Sequence, residues 1–329
     1  MLQRYDLQLG YSCNNNCIHC FNLNAIISLR KQGKPLDKSA EEIKEILRKA
    51  KNEGVNKLVF TGGEPTIRSD FLELLEFASK NFRKIGLQTN GRMFSLENFA
   101  RKTLEICPAL SFTIPFHHSR KEIFDSITRV KGSFEQTFKG IKNLLKFGAK
   151  EICLKRVLLK QNYKDLENFV KLTNKLKIKK LDFTFVEGGG NARINWSKIA
   201  PHYSEIQPYL KKAIDLANSF GIEVTCYDIP FCFLNGYEKH VSEINTYIKP
   251  YLKQEFPERI SDRRENIIKE LVLGRRKKSQ KCNDCRFYKV CLGVWQEYLE
   301  LYGDKEFKPV KGEKIETWSE LYKILRNSR

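Results

Sequence analysis

Six of the ten cysteines fall in two tight groups, and their spacing is the strongest chemical signal in the chain. The first is Cys13-Asn14-Asn15-Asn16-Cys17-Ile18-His19-Cys20. Thiolates are the ligands of iron–sulfur clusters. Cys13, Cys17 and Cys20 can wrap one cubane if the loop turns tightly, and the three asparagines tolerate the left-handed backbone that such a turn needs. Three thiolates leave one iron without a protein ligand, an open position of the kind that lets a metal bind its substrate. The alternative is zinc with His19 as fourth ligand. His19 lies between two ligands in a short loop, so joint ligation is strained.

The second group, Cys282-Asn283-Asp284-Cys285-Arg286-Phe287-Tyr288-Lys289-Val290-Cys291, needs one more thiolate to close a four-ligand site. Cys226 shares a strand face with Ile222 and Val224 and reads as a small buried hydrophobe. Cys232 follows Ile229-Pro230-Phe231 in a loop and is the preferred fourth ligand. If neither binds, the cluster keeps an open iron that can hold substrate. Structural zinc on Cys232, Cys282, Cys285 and Cys291 is the alternative. Cations at Arg275-Arg276-Lys277-Lys278 and Lys281 would ease reduction of an anionic cluster, but a solvated basic loop is the preferred reading. Cys107 and Cys153 have no cysteine neighbours and read as core.

Short apolar strands alternate with amphipathic helices up to about residue 186. The strands are expected at Asp6–Gly10, Lys57–Thr61, Ile85–Thr89, Leu110–Phe116, Ile152–Leu159 and Leu181–Val186. Asp37-Lys38-Ser39 caps a helix toward Asn52, Ser69-Asp70 opens another, and Ser95, Ser133 and Asn162 start three more. The pattern predicts an α/β fold, a partial (β/α)6 barrel with its chemistry at the carboxyl ends of the strands. Gly188-Gly189-Gly190-Asn191-Ala192 reads as a loop. A helix over about Tyr203–Phe220 and a strand at Ile222–Cys226 follow. Residues 1–200 are expected to form the barrel and 201–329 a smaller cluster-binding extension.

With the elements in place, the chain resembles the radical S-adenosylmethionine (SAM) superfamily. CxxxCxxC follows the first strand, Gly62-Gly63-Glu64-Pro65 the second, and Gly86-Leu87-Gln88-Thr89-Asn90-Gly91 ends the third. The resemblance implies that the open iron binds the amino and carboxylate groups of SAM. Cleavage then gives methionine and a 5′-deoxyadenosyl radical that takes hydrogen from a substrate. It also implies that Gly62 and Gly63 line the methionine moiety and that Glu64 accepts from its amino group. Gln88 and Asn90 can reach ribose hydroxyls, although Asn90-Gly91 also fits a plain turn. Arg156 shares a face with Ile152 and Leu154 and needs an anion, which the SAM carboxylate would supply unless Arg156 is solvated. Asn162 is a similar candidate. The late cysteines resemble the SPASM and twitch extensions, which bind auxiliary [4Fe–4S] clusters. Trp295 stands where a full SPASM core has a further cysteine, so one auxiliary cluster is expected. A ferredoxin or flavodoxin electron donor is implied.

Auxiliary-cluster relatives often modify peptides or proteins, which is the leading expectation. Biosynthesis of a cofactor or nucleotide-derived small molecule is the alternative. A net charge of +20 admits RNA, but lysines and glutamates intermix on the predicted helices, so nucleic acid is not favoured. A non-enzymatic metal-binding module is the remaining reading. No apolar run nears the roughly 18 residues of a membrane span. The first residues lack a secretion signal, and a cytoplasmic protein is expected.

Overall fold

The computed structural model describes residues 3–242, 259–261 and 275–327. Six strands alternate with helices as expected: β1 (Gln3–Gln8), β2 (Val55–Thr61), β3 (Lys84–Gln88), β4 (Ser111–Pro115), β5 (Glu151–Leu158) and β6 (Lys180–Phe185). Helices α1 (Leu23–Lys31), α2 (Ala40–Asn52), α3 (Phe71–Asn81), α4 (Glu97–Ile106), α5 (Lys121–Thr128), α6 (Ser133–Lys146) and α7 (Leu166–Lys175) lie between them. The periodicity missed α1 and α5. The cap before α2 is a full capping box, in which Ser39 accepts from the Glu42 amide and Glu42 accepts from the Ser39 amide.

Two elements differ from expectation. The Gly188–Ala192 segment is not all loop, because α8 (Gly190–Ile199) begins inside it. After α9 (Tyr203–Ser219), the strand expected in the extension is β7 (Glu223–Tyr227), and it pairs parallel with β6. A short β8 (Arg259–Ser261) pairs parallel with β1, so the sheet runs β7-β6-β5-β4-β3-β2-β1-β8. β7 therefore adds a strand to the six-strand barrel from beyond residue 200. The rest of the described extension comprises short 3-10 turns and a two-stranded antiparallel ribbon of β9 (Arg276–Lys277) and β10 (Val294–Trp295) with α10 (Gln296–Tyr302) and α11 (Trp318–Asn327). Parts of the expected extension, 243–258 and 262–274, lie outside the described residues.

Side chains alternate strictly along β5. Ile152, Leu154, Arg156 and Leu158 are buried and their neighbours are half-buried or exposed. The Arg156 guanidinium lies 4.0 Å over the Phe169 ring of α7, so this face packs against the helix layer. Among the described residues no helix is long and apolar enough to cross a membrane.

Candidate metal centres and their surroundings

The first cysteine loop leaves β1 and is held by backbone hydrogen bonds at the carboxyl ends of the strands. The amides of Gly63 and Glu64 donate to the carbonyls of Gly10 and Ser12 at 2.9 and 2.8 Å. A Cβ on Gly62 would stand 2.3 Å from the Gly10 oxygen, and one on Gly63 2.2 Å from the Ser12 oxygen. The expectation was that these glycines let a ligand come close. In the structure their bareness admits the backbone leading into the cysteine loop. Asp37 accepts from the amides of Tyr11 and Ser12 at 2.9 and 3.0 Å. Further along, Asn16 and Ile18 donate to the end of α5. Asn191 donates its amide to the Cys20 carbonyl and its side chain to the Cys17 carbonyl. A Cβ on Gly190 would lie 2.5 Å from the Cys20 oxygen, so the glycine run clamps this loop.

Glu64 is 2% exposed. Its Oε1 accepts from the Thr66 amide and hydroxyl at 3.1 and 2.5 Å and from the Thr89 hydroxyl at 2.6 Å. Oε2 accepts once, from the Asn90 amide at 2.6 Å, and is the oxygen with capacity left for an amine. Burial pushes the carboxyl above its usual range, against the pull of these donors. Asn90 is more than a turn residue: its Nδ2 donates to the Asn14 Oδ1 at 2.6 Å and its Oδ1 accepts from the Arg92 amide. Arg92 itself donates to the Asn14 carbonyl and to Asn15 Oδ1. Gln88 accepts from the Thr61 hydroxyl at 2.9 Å and links β2 to β3.

Arg156 requires correction. It meets neither solvent nor an outside anion as placed, because its face packs on helices. Nη1 pairs with Asp165 Oδ2 at 3.0 Å and Nε donates to the Phe116 carbonyl at 3.0 Å. Nη2 is buried with no hydrogen-bond partner among the described residues. Asn162 is corrected too: it donates to the carbonyls of His117 and Val157 and accepts from the Leu159 amide, which closes the turn after β5.

Desolvation raises all three loop thiols, although Cys13 itself is exposed. Cys13 is pushed up to about 11. The charges of Cys13 and Cys20 add to the burial of Cys17, so the three sulfurs lie within electrostatic reach of one another. Three thiols so placed could serve as the donor set of a metal, and a cation would relieve both effects. His19 is half-buried, desolvation pushes its ring down to about 4, and the ring sits edge-on to His117 with centroids 5.0 Å apart. Sequence reasoning passed over Arg92, Asn191 and His117. A His-His pair directly after strand four was the available signal for the last.

The late cysteines gather as expected. Cys232, on the turn Phe231–Phe233, lines one pocket with Cys282, Cys285 and Cys291, walled by the stacked rings of Phe231 and Phe287. Burial and then the charges of Cys291, Cys285 and Cys282 push its thiol up. Cys226 is instead fully buried in β7 and is not among the pocket's lining residues. The preceding basic run is solvated only in part: Lys277 and Lys281 are exposed, but the other three cations are held by the protein. Arg275 bonds Glu187 and Glu297 at 2.6 and 2.5 Å, Arg276 bonds Asp228, and Lys278 donates to the Tyr288 carbonyl. Trp295, 6% exposed, carries the Arg276 guanidinium 4.0 Å over its ring.

The model of the radical SAM superfamily matches residues 7–173. A probable GTP 3′,8-cyclase of Saccharolobus islandicus (strain M.14.25 / Kamchatka #1) is 26% identical over 212 residues, 64% of this chain and 65% of the cyclase. The mycofactocin maturase MftC of Mycolicibacterium smegmatis is 30% identical over 167 residues, 50% of this chain and 40% of the maturase. The chain thus spans less than two thirds of these relatives. Among solved structures, anSMEcpe with bound AdoMet superposes with a TM-score of 0.59 at 17% identity over 99% of both chains. Streptococcus suis SuiB bound to its precursor peptide SuiA gives 0.57 at 18% identity, over 72% of this chain and 51% of SuiB.

Proposed function

The chain belongs to the radical SAM superfamily, and from that membership we propose that it cleaves SAM reductively and uses the radical to modify a peptide or protein. The observation that carries this reading is the pairing of two cysteine sites: an open three-thiol loop at the strand ends and a separate four-cysteine pocket. Cys13, Cys17 and Cys20 would hold the SAM-binding [4Fe–4S] cluster, and Cys232, Cys282, Cys285 and Cys291 an auxiliary one. When bound, the first cluster supplies the electron that cleaves SAM. The protein's part is placement. Gly62 and Gly63 seat the loop, Asn90 and Arg92 fix its asparagines, and Glu64 offers Oε2 to the SAM amino group while its other bonds lock it. The barrel for residues 1–200 and an extension for 201–329 remain our division of the chain, with β7 lent to the sheet.

Peptide chemistry is supported by the maturase relative and by the likeness of fold to a peptide-bound enzyme. Cyclase relatives at 26% identity favour a second reading, a nucleotide substrate. One experiment separates them. Anaerobically reconstituted protein is reduced with dithionite, and 5′-deoxyadenosine is measured with GTP, with a peptide encoded beside its gene, or alone. Stimulation by the peptide supports the first reading and stimulation by GTP the second. Equal yield from wild type and Cys17→Ala would end the SAM-cleavage reading.

A further inference from the structure

The sulfur of Cys17 belongs to a second constellation besides the loop thiols. One ligand atom each from Cys17, His19 and His117 lies within 4.8 Å of the other two. His19 reaches this point from the cysteine loop and His117 from the end of β4, so two separate segments converge. His117 is 2% exposed. The Nδ1 atoms of both histidines are buried and have no hydrogen-bond partner among the described residues. A buried ring nitrogen without a partner costs stability.

We propose that the cluster-free chain binds one zinc-like divalent ion through Cys17, His19 and His117, and that this ion and the first cluster exclude each other because both need Cys17. Two histidines and one cysteine are borderline-soft donors of the kind zinc takes. Zinc–nitrogen and zinc–sulfur bonds of about 2.05 and 2.3 Å put tetrahedral ligand atoms roughly 3.3–3.6 Å apart, so the trio must close by roughly 1 Å. The same bond length puts two imidazole centroids on one tetrahedral ion about 5 Å apart. The observed centroids are 5.0 Å apart, already at that spacing. Cys17 loses its thiol proton to solvent on binding and both histidines bind neutral. The fourth position stays open to water. His19 was expected to be strained as a partner for the loop thiols. Meeting the ion together with His117 it draws on only one of them, which removes the strain. The consequence is a metal-dependent brake on cluster loading: zinc must leave before the loop can take up iron and sulfide.

Cobalt(II) is the probe, because its visible spectrum reports tetrahedral ligation and thiolate bonding. The Cys13→Ala/Cys20→Ala variant cannot hold the first cubane but keeps the trio. It is first reconstituted so that the four-cysteine pocket is filled, then titrated with cobalt without oxygen. One equivalent per chain with a single-thiolate charge-transfer band is expected. Adding His117→Ala should weaken binding at least about a hundredfold, more than losing an outer-shell partner does. Cys20→Ala alone, with the four-cysteine pocket filled in the same way, gives the same difference should the double variant fail to fold. In a Cys282→Ala/Cys285→Ala background, whose late pocket cannot hold zinc, zinc added before reconstitution should withhold about four irons, and adding His117→Ala should restore them. Cobalt binding indifferent to His117→Ala, or lost in Cys13→Ala/Cys20→Ala, overturns the proposal. Neither readout uses SAM cleavage, so this result and the proposed activity stand or fall separately.

Discussion

The Asn90 side chain donates from Nδ2 to Oδ1 of Asn14 at 2.6 Å, so the end of β3 holds the interior of the first cysteine loop. The contact spans 76 residues of sequence. Two asparagines that read separately as turn formers are one joint between a strand end and a metal-binding loop. Asn90→Ala removes this bond and the one from the Arg92 amide, at a cost of about 1–2 kcal/mol. The loop should hold its iron less well while the four-cysteine pocket keeps its own. Iron counts after anaerobic desalting check this; equal loss from both sites would point to general unfolding.

Glu64 should matter first for stability. Glu64→Ala strands four donors, the Thr66 amide and hydroxyl, the Thr89 hydroxyl and the Asn90 amide. The expected loss is about 3 kcal/mol, with Glu64→Gln losing less because its carbonyl oxygen still accepts. Urea unfolding of the two variants measures the order. Alanine and glutamine costing the same would show that these bonds contribute little.

The buried Arg156–Asp165 pair predicts an acid limb. Burial alone would raise the Asp165 carboxyl, but Arg156 beside it and donors from Ser119 and Asn168 hold it below the usual range. The folded value thus lies below the unfolded one, near 3.9, so the stabilisation is complete above about pH 4 and is lost as pH falls through the folded value. Asp165→Asn should cost about 3 kcal/mol near neutrality, since it leaves Arg156 buried without its counter-charge. The gap to wild type should narrow as pH drops below about 4. A gap that stays constant into that range would contradict the linkage.

The fourth thiol of the late site can be assigned by two substitutions. Cys232→Ser should remove or destabilise the second cluster and lower iron by up to about four per chain from about eight. Cys226→Ala should leave iron unchanged and cost about 1 kcal/mol or more for the core volume it vacates. Iron loss in Cys226→Ala, with iron kept in Cys232→Ser, would reverse the assignment. Zinc in anaerobically purified protein at this site would favour the structural-zinc alternative.

Local pattern carried the first six strands, the Ser39 cap, and the cysteine loop with its Gly62-Gly63-Glu64 companion, because periodicity and ligand spacing are properties of short segments. That Cys232 and not Cys226 would lie beside the late cysteines was also legible, since a cysteine on an apolar strand face and one in a loop have different surroundings by rule. What lay beyond the sequence was every fact that depends on which segments meet. Alternation along β5 placed Arg156 with Ile152 and Leu154, yet only packing showed that this face looks toward α7 and Asp165. The basic run from Arg275 read as solvated, yet Glu187, Glu297 and Asp228 come from other segments to pair with Arg275 and Arg276. β7 joined the barrel because β6 was an open edge beside it. His117 met His19 because parallel strands deliver their loops to one end of the sheet. Spacing along the chain fixes which residues can share a turn or a face; which faces and loops are brought together is decided by long-range burial, and no local pattern records it.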